Sequence, residues 1–206
     1  MQTRHKTQDT RHKTQDTRQF CKYFKKVNYS FVLISIIFVF TTSGCSDLIY
    51  PIFKVGSIGP GGGYVFYDKG NNRGGWRYLE AAPENIPGTH RWASPEMEET
   101  LIPGIGTAIG TGKNNTALIL AADPAAQAAL ACVNLGAGWF LPSKDELNLM
   151  YTNLCLKDLG GFADNWYWSS SQGGNNVAWE QNFDTGMPDR RFKFGTIPNV
   201  RAIRAF

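Results

Sequence analysis

The chain has 206 residues, 42% hydrophobic and 18% charged, with a formal net charge of +4. That charge is unevenly placed: residues 1–45 hold eight Lys/Arg against two Asp/Glu, and residues 46–206 hold thirteen against fifteen. The larger part is therefore slightly acidic, which removes the bulk electrostatic argument for a nucleic-acid partner. Its about 160 residues suit one domain with its own core.

Residues 1–44 read as a basic extension followed by an export signal. The heptapeptide Thr-Arg-His-Lys-Thr-Gln-Asp occurs at 3–9 and again at 10–16. No position in it is apolar, so it offers no coiled-coil seam and reads as a polar extension outside any core. An apolar run, Phe31–Phe40, follows, then Thr-Thr-Ser-Gly and Cys45. Basic segment, short apolar stretch and small residues in that order make a secretory signal. A run of ten falls well below the ~20 residues that a spanning helix needs, which argues against an anchor that stays uncleaved. Cys45 resembles the lipid-bearing cysteine of bacterial lipoproteins, with Thr42 standing where such motifs usually carry Leu. The resemblance implies cleavage before Cys45, a diacylglyceryl thioether on its sulfur, and a tether over 45–55. The domain at 56–206 is then expected outside the cytoplasm, at the cell envelope, on the outer membrane or cell surface.

Within the domain, the turn-rich Gly56–Gly63 leads into a strand at Tyr64–Tyr67, a hairpin loop at Asp68–Gly75 and a return strand at Trp76–Ala81. Residues 83–112 are broken by Pro and Gly and read mostly as loop. A short helix is expected from Thr116 to Ala122. Asp123 as N-cap and Pro124 at the first position start the next helix, with Ala126, Leu130 and Val133 on one face and Gly136 at its end. Ser143 and Glu146 form a capping box ahead of Leu147, Met150, Tyr151 and Leu154 at helical spacing. After Gly161, strands are expected at Trp166–Ser170, Val177–Phe183, Arg190–Phe194 and Val200–Phe206. The domain carries 21 Gly and all six Trp, a composition that suits tight turns between short strands and burial by large rings. The class is α+β and loop-rich.

Several segments together resemble one family: IGPGGGYVFYDKG (58–70), GWRYLEAAPE (75–84), IGTGKNNT (109–116), GWFLPSKDELNLMY (138–151), GGFADNWYWSSS (160–171), WEQNFDTG (179–186) and VRAIR (200–204). This pattern is similar to the C-terminal domain family of a collagen-like bacterial adhesin, the Lcl C-terminal domain, and spans nearly the whole domain. The resemblance implies a C-type-lectin-like fold related to the formylglycine-generating-enzyme type, with two helices flanking a small twisted, mainly antiparallel sheet and paired terminal strands. It also implies ligand binding or adhesion, the adhesin domain being associated with glycosaminoglycan. Fold alone does not fix function.

Each chemistry-bearing pattern in the chain also has a simpler structural role. Asp145 and Glu146 sit in the first turn of a helix, where both charges favour the N-terminus. Gly104–Lys113 fails the phosphate-loop pattern, because Thr107 stands where the first Gly belongs and Asn114 follows Lys113. His90 is the only His after the leader, and no Gly-x-Ser-x-Gly elbow exists, so neither a His-rich metal site nor a serine triad is expected. The catalytic Cys pair of formylglycine-generating enzymes has no counterpart after Cys155. No catalysis, cofactor or metal is expected. Asp164, Asp184 and Asp189 offer oxygen ligands to calcium, but turn chemistry accounts for most of them, and the calcium-lectin signatures are absent. Cys132 and Cys155 are either a disulfide, permitted outside the cytoplasm, or two buried thiols.

The candidate ligand surface is Trp166, Trp168, Asn175, Asn176, Trp179, Arg190 and Arg191. Alternation on a strand turns Tyr167 away from Trp166 and Trp168, so part of this set belongs to the core. An aromatic exposed beside the two arginines would contact a glycan or protein, the arginines pairing with sulfate or carboxylate. The expected partners are a membrane, through the lipid, and a glycan or a host or envelope protein.

Overall fold

The computed structural model describes residues 51–194 and 198–206. The repeat, the apolar run and Cys45 lie outside them. In chain order the elements are β1 (Tyr64–Asp68), β2 (Tyr78–Ala81), α1 (Gly112–Ala122), α2 (Gln127–Asn134), β3 (Trp139–Phe140), α3 (Lys144–Asn153), β4 (Trp166–Gln172), β5 (Val177–Asn182), β6 (Pro188–Phe192) and β7 (Ile203–Ala205). The class is α+β. Three helices accompany two antiparallel sheets, ordered β1-β2-β7-β3 and β4-β5-β6. The resemblance implied two helices about a single sheet; α1 answers to the short helix expected from Thr116 to Ala122, and the second sheet is the departure.

The first hairpin forms because its turn chemistry and strand ends agree. Asp68 Oδ1 accepts from the Gly70 amide at 2.7 Å, and the Asp68 carboxylate takes Arg77 Nε and Nη2 at 2.8 and 3.0 Å. The C-terminus closes this sheet: β7 pairs with both β2 and β3, and the Phe206 carbonyl accepts from the Arg77 and Tyr78 amides. The opening GPGGG turn wraps a buried carboxylate. Glu80, with no exposed surface, accepts from the amides of Gly61 and Gly63 and from Arg204 Nε at 2.9 Å. A carboxylate this deep persists because its oxygens are met by donors.

The helices follow the sequence, with the starts of α1 and α2 corrected. α3 carries the expected capping box: Ser143 Oγ accepts from the Glu146 amide at 3.3 Å, and Glu146 Oε2 from the Ser143 amide at 2.7 Å. Leu147, Met150 and Leu154 are buried as its spacing requires. α1 begins at Gly112, a turn earlier than expected. α2 begins at Gln127, with Ala126 at the cap. Asp123 does not cap it; its carboxylate takes the amides of Ser94 at 2.6 Å and Ala125 at 3.1 Å. The buried face of α2 is Ala128, Ala129 and Cys132, while Leu130 is exposed. A tight loop held by Asp123 shifts the start, and a different face packs inward.

Two apolar clusters fill the interior. One gathers Trp92, Ile119, Cys132, Trp139, Leu141 and Trp168, and the other Phe66, Leu79, Leu147, Met150, Tyr167 and Phe183. Tyr167 and Trp168, adjacent on β4, point into different clusters, as alternation demands. The segment before β7 ties β4 to the other sheet, through Trp168 N to Asn199 O at 3.0 Å and Asn199 N to Trp166 O at 2.8 Å.

The turn from β5 to β6 passes through Gly186 at φ 76°, where a Cβ would come within 2.5 Å of the Tyr151 ring. β6 is the outer strand of its sheet. Asn182 N to Met187 O and Lys193 N to Asn176 O direct its odd-numbered positions to β5. Of the even positions, Pro188 has no N–H, and the Arg190 amide donates to Asp189 Oδ1 at 2.7 Å.

Candidate functional site

The residues singled out on β4, β5 and β6 divide between the two faces of the three-stranded sheet. Trp168 is 1% exposed and belongs to the core; it is not a contact residue, and its Nε1 donates to His90 O at 3.2 Å. Glu180, its partner across the ladder, is buried on the same face. Arg191 turns inward as well, its Nε 2.6 Å from Glu180 Oε1 and its guanidinium 5.3 Å from the half-buried Trp166 ring. Burial pushes the Glu180 carboxyl above its ordinary range, and Arg191 opposes that rise. Arg191 therefore serves a buried charge first.

Asn175 and Asn176 lie at the β4–β5 turn. Lys193, 1% exposed, organises them: its Nζ donates to Asn175 O, Gln172 Oε1 and Thr100 O at 2.6–2.8 Å, and its amide to Asn176 O at 3.0 Å. Burial lowers the Lys193 ammonium to about 8.

The opposite face keeps two of the predicted residues together. Trp179 on β5 stands directly across from Arg190 on β6, whose guanidinium lies 5.6 Å from the indole. A third residue, absent from the sequence reading, joins them. Lys144 at the start of α3 places its Nζ 4.1 Å from the same ring. Such cation–ring contacts are worth about 0.5–1 kcal/mol each when exposed. Lys144 and Arg190 make no ion pair with a carboxylate among the described residues. Between α3 and β5 lies a cleft of about 190 Å³, bordered by Lys144, Asp145, Asn148, Trp179, Gln181 and Pro188. Gln181 Nε2 donates to Asn148 Oδ1 and Gly186 O, both at 2.9 Å, which fixes its wall.

The approach of α3 has a local cause. β4 loses register with β5 between Trp168 and Gln172, where three serines leave the ladder. Ser170 donates to Pro142 O from its amide at 2.7 Å and from its hydroxyl at 3.1 Å. Ser171 Oγ accepts from the Lys144 amide at 3.0 Å and donates to Gly106 O at 2.8 Å. This irregularity of the bulge type clamps the N-terminus of α3 beside Trp179. Gly173 completes the arrangement, because a Cβ there would lie 2.6 Å from Arg190 Cδ; the bare backbone is what the arginine stem lies on.

The helix N-terminus itself has no spare donors for a ligand. The amides of Lys144, Asp145 and Glu146 go to Ser171 Oγ, Thr107 O and Ser143 Oγ. Glu146 is fully buried, bonded to Ser143 and, through Oε1, to the Gly110 amide at 2.8 Å. Burial raises its carboxyl while these bonds oppose the rise. It is a cap shared by α3 and the loop entering α1. His90 Nε2 lies 3.0 Å from Pro87 O.

The remaining candidates fall elsewhere. Cys132 is buried within α2 and its thiol is raised by burial. Cys155, half-buried, donates to Phe183 O at 3.4 Å, and its thiol is raised by burial and then by Asp164 and Asp158. The two are free and sit in different clusters, so the disulfide alternative is not realised. Asp164 and Asp184 border a separate cleft of about 390 Å³ with Asp158, away from Asp189 on β6. Among the described residues no three acidic, His or Cys side chains are arranged to hold a metal ion.

No family model matches the chain, and no curated protein matches it significantly.

Proposed function

We propose that the protein is an exported lipoprotein, anchored through Cys45 at the outer membrane or cell surface, whose C-type-lectin-like domain binds an anionic ligand without catalysis. The observation that carries the binding site is the pair of cations on Trp179: among the described residues neither Lys144 nor Arg190 has a carboxylate partner, and Lys144 and Trp179 border a cleft. Side chains rather than helix amides would hold the anion. Carboxylate and sulfate groups on a glycan and carboxylates on a protein share the chemistry that such cations select. The leader pattern and Cys45 support the anchor. The family resemblance supports the fold reading, as does the way the C-terminal strand closes the first sheet.

The test is a binding panel of sulfated and carboxylated glycans and acidic proteins, run with calcium and with chelator. The expected result is selective binding that drops about tenfold or more in Lys144→Ala/Arg190→Ala. Full retention in that variant sinks the site. For the anchor, radiolabelled fatty acid should enter the parent protein and not Cys45→Ser; equal labelling of both refutes it.

A further inference from the structure

The outward strip of the three-stranded sheet does not end at Arg190. Val177 pairs with Phe192 in the same ladder as Trp179 with Arg190, and alternation puts Val177, Trp179, Arg190 and Phe192 on one face. A Cβ built on Gly173 would meet both Arg190 and Val177, which fixes that face independently. Phe194 continues it: its ring stacks on Phe192 at 5.4 Å and 26°. Both rings are open to solvent, 53% and 43% exposed, while Lys193 between them is buried. From Arg190 to Phe192 the strip runs about 7 Å at the usual rise per residue, and Phe194 lies just past the end of β6. It begins with two cations that no carboxylate pairs among the described residues and ends with two stacked aromatic rings open to solvent.

We propose that the partner of this strip is a protein segment in extended conformation that presents a carboxylate followed by large apolar side chains. The carboxylate sits between Lys144 and Arg190, and the apolar side chains cover Phe192 and Phe194. This rests on the anionic-ligand reading above and narrows it to one class of macromolecule. Local charge favours a peptide over a polyanion. Asp145 borders the same cleft as Lys144, so the positive field is bounded by a carboxylate on the helix side. A uniformly sulfated polymer or an anionic bilayer would meet that carboxylate as well. Aromatic rings beside a charged anchor, bared on a free surface, are the composition that protein contacts use.

The test uses the full chain in detergent and a short synthetic peptide with two Glu followed by two Leu at alternating positions. Comparison probes are the same peptide with Gln for Glu, a sulfated polysaccharide, and vesicles containing phosphatidylglycerol. Variants are Lys144→Ala/Arg190→Ala, Phe192→Ser/Phe194→Ser and Phe192→Ser alone, each checked for an unchanged circular dichroism spectrum. The acidic peptide should bind, the Gln peptide should bind at least about tenfold more weakly, and both double variants should lose about tenfold. Parent-like peptide binding in Phe192→Ser/Phe194→Ser overturns the inference. So does binding confined to the polysaccharide and lost only in Lys144→Ala/Arg190→Ala, an outcome that leaves the anionic-ligand reading standing. Vesicle binding that depends on the two Phe, with no peptide binding, overturns it in favour of a membrane. Indifference of every probe to Lys144→Ala/Arg190→Ala defeats both readings.

Discussion

The two sheets each place an arginine against a tryptophan, and they use the pair for opposite ends. In the four-stranded sheet, Arg204 lies 5.9 Å from the Trp139 ring and its Nε meets buried Glu80 at 2.9 Å. That carboxylate also takes the amides of the opening glycine turn. Every charge in that group is answered within the fold. In the three-stranded sheet, Arg190 lies at a similar distance from Trp179, 5.6 Å, and no carboxylate answers it among the described residues. An arginine on an indole is therefore not in itself a sign of recognition. What separates the structural pair from the binding pair is whether the chain supplies the anion.

The largest effect that tests this contrast is on Glu80. Glu80→Ala strands Arg204 and the amides of Gly61 and Gly63, so unfolding in urea should show a loss of about 3–5 kcal/mol, the usual cost of breaking a buried pair. A loss below about 1 kcal/mol would mean that the group is less tightly coupled than its geometry implies. Next is Glu146→Ala, which uncaps α3 and frees the Gly110 amide; about 1–3 kcal/mol should be lost, with the 104–112 loop gaining hydrogen exchange.

Arg190→Ala should behave in the reverse way, shifting stability by no more than about 0.5 kcal/mol while weakening ligand binding. A stability loss as large as that of Glu80→Ala would erase the distinction between the sheets. Gly173→Ala asks for less. It displaces the Arg190 stem, so Trp179 fluorescence and ligand affinity should change together in a domain that stays folded.

A pH slope tests the buried amine at the end of the same sheet. Burial holds Lys193 near 8 in the folded protein against an ordinary 10.5. The unfolded chain therefore binds more protons between those values, and stability should rise as pH climbs through that window. Lys193→Met should flatten the slope. A parent protein that loses stability over the same range would contradict the assignment, provided that other groups titrating there are matched in the variant.

Local patterns were legible where they were self-contained. The Ser143/Glu146 box, the Asp68–Gly75 hairpin and the split of Tyr167 from Trp168 all follow from spacing. The start of α2 was not, because Asp123 is drawn to the Ser94 amide, 29 residues away in sequence. Nor was the division of the adjacent pair Arg190 and Arg191, one facing outward and one bonded to Glu180; composition treats the two as equivalent, and only the ladder register separates them. Lys144 escaped notice because its tie to Trp179 depends on the three serines leaving β4. The exposed Phe192 and Phe194 read in sequence as ordinary strand residues, and nothing local marks a strand whose partner is missing on one side.

One detail of β6 makes the bare aromatic face tolerable. A free strand edge beside uncovered phenylalanines invites chain after chain to add on, the route to fibrils. Here the outward edge begins with Pro188, which has no donor, and continues with an Arg190 amide already taken by Asp189. An incoming strand finds no free amide donor at Pro188 or Arg190. The surface can thus offer sticky side chains while withholding amide donors over Pro188 and Arg190, so that strand addition there is weakened relative to side-chain fit.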